Sequence, residues 1–221
     1  MHEEQAEIDN LTRRLNQIGG YLDRFLQFEH PDAVQQASEW RAVLGGELPE
    51  QGLGADRVID IMGEHLIPNG SQIPKPGCTS FITTGGTSVG LLASLSSAVA
   101  SPQRLGVTAF NFLEELSLQW MADLFELSEE MKGVYSSGGS VANLVCLGAA
   151  RQQAFERIGI DPALEGVSVP GRIYASAASH HTIHRAAAVL GLGRRAVVAI
   201  PIDSRGCMST DALRKQLLND A

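Results

Sequence analysis

The sequence predicts an α/β fold, an incomplete, mostly parallel sheet with covering helices, preceded by a helical N-terminal arm. Three observations carry this. Residues 3–29 place apolar side chains at helical spacing, with no strand-like alternation. After Lys132, short extended apolar runs alternate with helical runs, joined by loops of the length that strand–helix–strand units use. At the first such junction, Ser137, Gly138, Gly139 and Ser140 break an extended run and open an apolar helix.

In order, Ile8, Leu11, Leu15, Ile18, Leu22, Phe25 and Leu26 mark an amphipathic helix from Glu3 to about Glu29, with Gly19-Gly20 as its potential break. A second helix runs from near Asp32 to Leu44 and stops at Gly45-Gly46. Pro49 to Gly54 is a linker, and Asp56 to Leu66 a short helix with Val58, Ile59 and Met62 inward. Pro68 to Gly90 is rich in Pro, Gly, Ser and Thr and reads as one long irregular segment, a kind that is usually functional or packed on a partner. Helices follow at Leu91–Ala100 and Phe110–Leu127, the second with Leu113, Leu116, Trp120, Leu124 and Leu127 on one side. Then come a strand at Val134-Tyr135, a helix from Ser140 to Ile158, a strand from Arg172 to Ser176, and a helix from about His180 to Gly191. A strand at Ala196–Ile200 and a helix at Thr210–Asn219 complete the pattern. Ser209 is that last helix's N-cap, with Met208 and Leu213 spaced as a hydrophobic staple. The chain stops soon after, so the sheet reads as ending mid-domain.

With 44% of 221 residues hydrophobic and a mean hydropathy of +0.00, the chain suits one large soluble domain, or a domain with an appendage. A formal net charge of −8 argues against nucleic acid as a partner, because phosphate backbones reward clustered Lys and Arg. The polar, acidic start (Met1-His2-Glu3-Glu4) is neither a signal nor a transit peptide, and no stretch reads as a membrane span. Cys78, Cys146 and Cys207 are odd in number and widely spaced, which disfavours a disulfide framework or zinc ribbon. They read as buried small hydrophobes in a reducing cytoplasm.

Two constellations carry chemistry. Gly138 and Gly139 can adopt backbone angles closed to other residues and admit a ligand close to the main chain. Ser140 can cap the following helix and offer a hydroxyl, while the helix's unpaired N–H groups and dipole suit a phosphate. An ordinary glycine turn before a helix fits the same residues. Farther on, His180, His181 and His184 open the helix after the next strand. His181 and His184 read as surface residues. His180 and His184 share a helical face, as a metal pair would, but no carboxylate or cysteine nearby completes a shell. His180 has another reading: ligands of parallel sheets bind outside the carboxyl ends of the strands. There an imidazole can lie flat on a planar heterocycle whose phosphate the glycine cup holds.

At this point the chain resembles the group II pyridoxal-phosphate-dependent amino-acid decarboxylases, which include the aromatic-amino-acid and glutamate decarboxylases. The resemblance rests on Leu113-Glu114 with Trp120-Met121, on Ser137 to Asn143 with Ala149 to Arg151, and on Tyr174 to Ser176 with His180 and Arg185. Ile200 to Asp203 with Met208 and Leu213 completes it, so it covers roughly Pro68 to the C-terminus. It implies a fold-type I transferase-like architecture and pyridoxal 5′-phosphate as cofactor. Gly139 and Ser140 would bind the phosphate, Ser137 and Gly138 would shape the cofactor-binding loop, and His180 would stack on the ring. Thr83 and Thr84 would line the substrate side or the dimer interface. Residues 1–90 would form the helical arm and substrate-side or dimer segment, and residues 91–221 the N-terminal part of the cofactor-binding domain. The implied function is decarboxylation of an L-amino acid by a cytoplasmic homodimer, in amino-acid and other carboxylic-acid metabolism. No nucleic-acid, membrane or metal partner is expected on this reading.

Lys75-Pro76 departs from the family's His-Pro, and Val141 stands where the family often has an acid. The family's Schiff-base lysine and its aspartate partner of the pyridine nitrogen fall beyond residue 221. The chain therefore reads as an N-terminal fragment, inactive alone. A non-catalytic half-enzyme that acts as a dimerisation partner is one alternative. A metal-dependent enzyme built on His180, His181 and His184 is the other.

Overall fold

The computed structural model describes residues 10–27, 36–46, 49–79, 86–101 and 108–220. The chain divides into two compact units, Met1–Asn111 and Phe112–Ala221.

In the first unit, α1 (Leu11–Phe25) runs unbroken through Gly19 and Gly20. The sequence marked that pair as a potential break. A Cβ on either glycine would meet nothing within 4 Å, so both lie on an open face where their small size disturbs no packing. Arg13 and Gln17, one helical turn apart, reach Asp56 at 2.6 Å and Asp60 at 2.9 Å on α3 (Ala55–Ile61). The Arg13–Asp56 ion pair is exposed and so sets register more than stability, while the Gln17–Asp60 hydrogen bond is part-buried. The chain then widens into a π turn at Met62–Leu66. Gly63 is buried there, directly under the Tyr21 ring, and a Cβ would collide with that ring. Gly63→Ala is therefore expected to lower stability by about 1–3 kcal/mol, the usual cost of overpacking, readable as a drop in urea midpoint. Between α1 and α3 lies α2 (Ala37–Leu44), where the Glu39 carboxylate accepts from the Gln36 N–H at 3.2 Å and Gly45 forms the end that the sequence predicts.

Residues 67–79 form successive turns, as expected of the irregular segment, but that segment ends sooner than its composition suggests. Thr87 accepts from the Gly90 N–H at 3.1 Å and caps α4 (Ser88–Ala100), so the Ser88-Val89-Gly90 patch is the first turn of a helix. Thr83 and Thr84 lie outside the described residues. The next helix, α5 (Ala109–Leu124), belongs to the second unit from Phe112 onward and carries Leu113, Trp120 and Leu124 largely exposed to solvent.

In the second unit, α6 (Gly139–Glu156), β1 (Ile173–Ser176), α7 (Thr182–Val189), β2 (Val197–Ile200) and α8 (Thr210–Asp220) follow one another. Strands β1 and β2 pair in parallel, Ile173 opposite Val197 and Ser176 opposite Ile200. Val134 and Tyr135, expected to form a strand, do not pair with the sheet. Both are more than half exposed, and the Tyr135 hydroxyl donates to Ser117 Oγ at 3.1 Å on α5. Apolar, β-branched composition makes a strand only where an edge is available to pair with.

The core of this unit is built largely of small side chains. Ala175, Ala186, Ala187, Ala196 and Ile200 are buried between α7 and the two strands, and Phe155 closes the end of α6. Alanine on the inner face of α7 lets the helix lie close to the sheet. Gly148 gives α6 the same close approach, since a Cβ there would stand 3.3 Å from Leu190. The Arg151 guanidinium donates to the Leu190 carbonyl at 2.8 Å, satisfying one of the carbonyls that the end of α7 leaves open. At α8, Ser209 Oγ accepts from the Ala212 N–H at 3.2 Å, so the predicted N-cap is present. The three cysteines, expected to be buried, are all exposed. Cys146 faces away from α7, because Asn143, Leu144, Leu147, Gly148 and Arg151 occupy the covered side of α6.

Candidate functional site

The glycine cup forms where expected, with one change of role. Gly138, not Ser140, is the N-cap of α6, and no side chain caps the helix. Ser140 is the second helical residue, too far into the turn to act as its cap. Gly138 has φ +157° and ψ +171°, a combination that essentially glycine alone adopts. Its carbonyl accepts the N–H groups of Val141 and Ala142, each at 3.0 Å, and the Ser136 hydroxyl at 3.2 Å. Among the described residues nothing accepts the N–H groups of Gly139 and Ser140, and the Ser137 and Ser140 hydroxyls stand without a protein partner.

These groups fit a phosphate. A Cβ built on Gly138 or Gly139 meets nothing within 4 Å, so the cradle is open at the point where an anion would rest. No acidic residue occupies the first turn of α6 to neutralise its dipole. An 18-residue helix presents the equivalent of about half a positive charge at that end.

His180 follows β1 through a tight turn in which the Ser179 N–H donates to the Ser176 carbonyl at 2.8 Å. Its ring lies exposed, with the His181 ring centroid 4.1 Å away and tilted by 37°. Charge repulsion from His180, then burial and the Arg185 guanidinium, hold the His181 imidazole below its ordinary pKa, which favours its neutral form. Among the described residues, no group of three or more His, Cys, Asp or Glu is arranged to hold a metal ion.

Two residues join the cup to the histidine: Asn143, which the sequence marked only as the end of a motif, and Thr182, which it did not single out. Asn143, one turn into α6, donates from Nδ2 to Thr182 Oγ1 at 2.9 Å, and Thr182 Oγ1 lies 3.0 Å from His180 Nδ1. Thr182 is buried, 3% exposed, at the first position of α7. The signal that could have found the pair is polarity: Asn143 is the one amide in an otherwise apolar or small-residue run from Val141 to Ala150. Lys75, which stands where the resembled family has a histidine, is 6% exposed within the first unit, its ammonium 4.5 Å from the Phe25 ring centroid. That contact is a packing role for α1.

An open glycine cradle at the head of one helix is thus tied, through Asn143 and Thr182, to an imidazole that follows a parallel strand. Residues 39–221 match the pyridoxal-dependent decarboxylase conserved domain, and the chain belongs to that family, whose cofactor is pyridoxal phosphate. It is 25% identical to an aromatic-L-amino-acid decarboxylase of Bacillus atrophaeus, over 81% of this chain and 36% of that protein. It is 29% identical to an L-2,4-diaminobutyrate decarboxylase of Rhizobium meliloti (strain 1021), over 79% of this chain and 34% of that protein. Among solved structures it is similar to mouse CSAD, with a TM-score of 0.80 and 21% identity over 95% of this chain and 45% of that one. The glutamate decarboxylase domain of a Vibrio parahaemolyticus transaminase and diaminobutyrate decarboxylase gives a TM-score of 0.83 at 21% identity, over 94% of this chain and 47% of that one. Oryza sativa TDC, solved with PLP and tryptamine, gives 0.77 at 18% identity, over 96% of this chain and 46% of that one. These likenesses bear out the fold-type I expectation. The chain spans about a third of the length of those two curated relatives and a little under half of the solved chains.

Proposed function

We propose that these residues form the phosphate-anchoring and ring-stacking half of a pyridoxal-phosphate-dependent L-amino-acid decarboxylase. The observation that carries this is the open cradle at Gly138 and Gly139 linked through Asn143 and Thr182 to His180. The N–H groups of Gly139 and Ser140, with the Ser137 and Ser140 hydroxyls, would hold the phosphate. Gly138 shapes the turn that presents them. The flat imidazole of His180 would rest against the pyridine ring, excluding water from that face. When bound, the cofactor supplies the electron sink into which the bond to the departing carboxylate collapses. Thr83 and Thr84 are assigned to the substrate side, on the family resemblance.

Lys132 and Lys215 do not fit the family's Schiff-base lysine by motif or position, and Lys75 is buried against Phe25. The 221-residue chain by itself is therefore assigned no turnover. A homodimer is assigned in the same way. The exposed apolar side chains of α4 (Val89, Leu92 and Val99), and separately those of α5, support it, because contiguous apolar surface of this kind is normally covered by a partner. A residues 1–90 arm with a residues 91–221 cofactor-binding part, and a cytoplasmic setting, complete the reading.

Titrating the chain with pyridoxal 5′-phosphate and with unphosphorylated pyridoxal tests it. The phosphorylated form should bind more tightly by about tenfold or more, since charged hydrogen bonds are worth about 1.5–3 kcal/mol. His180→Ala should weaken binding by roughly three- to tenfold, the worth of one stacked ring pair. Equal affinity for the two ligands would sink the reading.

A further inference from the structure

We infer that Thr182, braced by Asn143, is a positioning residue that fixes both the ring plane and the proton of His180. The inference deepens the proposed cofactor reading and rests on it for its use, although not for its geometry. Two groups of Thr182 converge on His180 Nδ1: the hydroxyl oxygen lies 3.0 Å away, and the backbone N–H donates at 3.4 Å. Thr182 Oγ1 also receives the Asn143 amide at 2.9 Å.

Proton accounting then assigns the tautomer. A threonine hydroxyl carries one hydrogen and can accept as well. With Asn143 donating to Oγ1, the remaining use of the hydroxyl hydrogen is His180 Nδ1. If Nδ1 carried a proton instead, that N–H would face the Thr182 backbone N–H. The hydroxyl hydrogen, on a residue only 3% exposed, would also be left without an acceptor. His180 is thus held as the Nε2–H tautomer, with Nδ1 as acceptor. The ring cannot turn about its Cβ–Cγ bond without breaking that pair of contacts. The Asn143 link runs from the first turn of α6, so the same bonds hold the stacking ring at a set position relative to the glycine cup.

A merely structural threonine would leave the tautomer alone, and that gives the test. Long-range proton–nitrogen NMR of the 15N-histidine-labelled 221-residue chain, recorded at about pH 8.5, well above the ordinary imidazole pKa of about 6.5, reads the protonation of each ring nitrogen. His180→Gln assigns the signal by deleting it. The expected result for the wild type is a pyridine-like Nδ1 and a pyrrole-like Nε2. Thr182→Ser, which keeps the hydroxyl, should give the same pattern. Thr182→Val, which keeps only the backbone N–H at 3.4 Å from Nδ1, should move the shifts toward the average of the two tautomers. A protonated or averaged Nδ1 in the wild-type chain overturns the inference and requires no variant to fold. An unchanged spectrum in Thr182→Val overturns it too. Neither measurement involves cofactor, so failure here would leave the binding of pyridoxal 5′-phosphate to stand or fall on its own titration.

Discussion

Gly139→Ala is expected to leave the chain at least as stable as the wild type while weakening pyridoxal 5′-phosphate by about ten- to hundredfold, equivalent to roughly 1.4–2.8 kcal/mol. The two halves of that result have separate causes. Gly139 is the first residue of α6, and a Cβ there meets no protein atom within 4 Å. Replacing a helical glycine with alanine then removes backbone entropy from the unfolded chain, a gain of about 0.4–1 kcal/mol. The added methyl occupies the open cradle and pushes a phosphate away from the N–H groups it would use. Gly138→Ala should behave differently. Its Cβ also meets nothing, but φ +157° with ψ +171° is a glycine conformation, so the substitution should cost about 1–3 kcal/mol of stability. Denaturant melts run beside cofactor titrations separate the two. A Gly139→Ala chain that binds as tightly as the wild type would place the phosphate somewhere other than this cup.

How much of this was legible in the sequence depends on what each feature needs. Helices α1, α6, α7 and α8 and strands β1 and β2 emerge from periodicity and glycine punctuation, because their determinants are local. The cup and His180 were legible as well, since glycine pairs and a histidine after a strand are chemically conspicuous. Pairing was not. Val134 and Tyr135 have strand composition yet remain unpaired, and composition carries no information about whether an edge is available. Cap chemistry shifted two boundaries: Thr87 starts α4 early, and Gly138 displaces Ser140 from the N-cap of α6. The brace between Asn143 and Thr182 was invisible for a similar reason. It joins residues 39 positions apart whose meeting depends on the close approach of α6 and α7. Cys146 shows the converse, a residue type that is usually buried but faces outward because its neighbours at helical spacing fill the covered side.

Ile200→Ala is expected to be the most damaging single truncation in the second unit. Ile200 is 1% exposed and is its largest fully buried side chain, in a core otherwise built mainly of alanine. Such a core has few long side chains able to collapse into the space, so the cost should fall within the usual 2–5 kcal/mol range for removing a buried isoleucine. A typical domain has about 5–15 kcal/mol in total, so that loss is a large fraction of the whole. The position also bears on the site. Ile200 lies opposite Ser176 at the carboxyl end of the parallel pair, and its carbonyl accepts the Ala177 N–H at 2.8 Å. Ala177 opens the turn that delivers His180, so loosening this end of β2 frees the segment that carries the imidazole. The expected outcome is a large drop in urea midpoint together with weaker cofactor binding, at temperatures where the chain is still folded. Ile200→Val removes one methylene and should cost only about 0.5–1.5 kcal/mol, with the His180 segment still anchored and binding near the wild-type value. If Ile200→Ala lowered stability but left binding untouched, the placement of His180 would depend on α7 and the Asn143–Thr182 brace rather than on the end of the sheet.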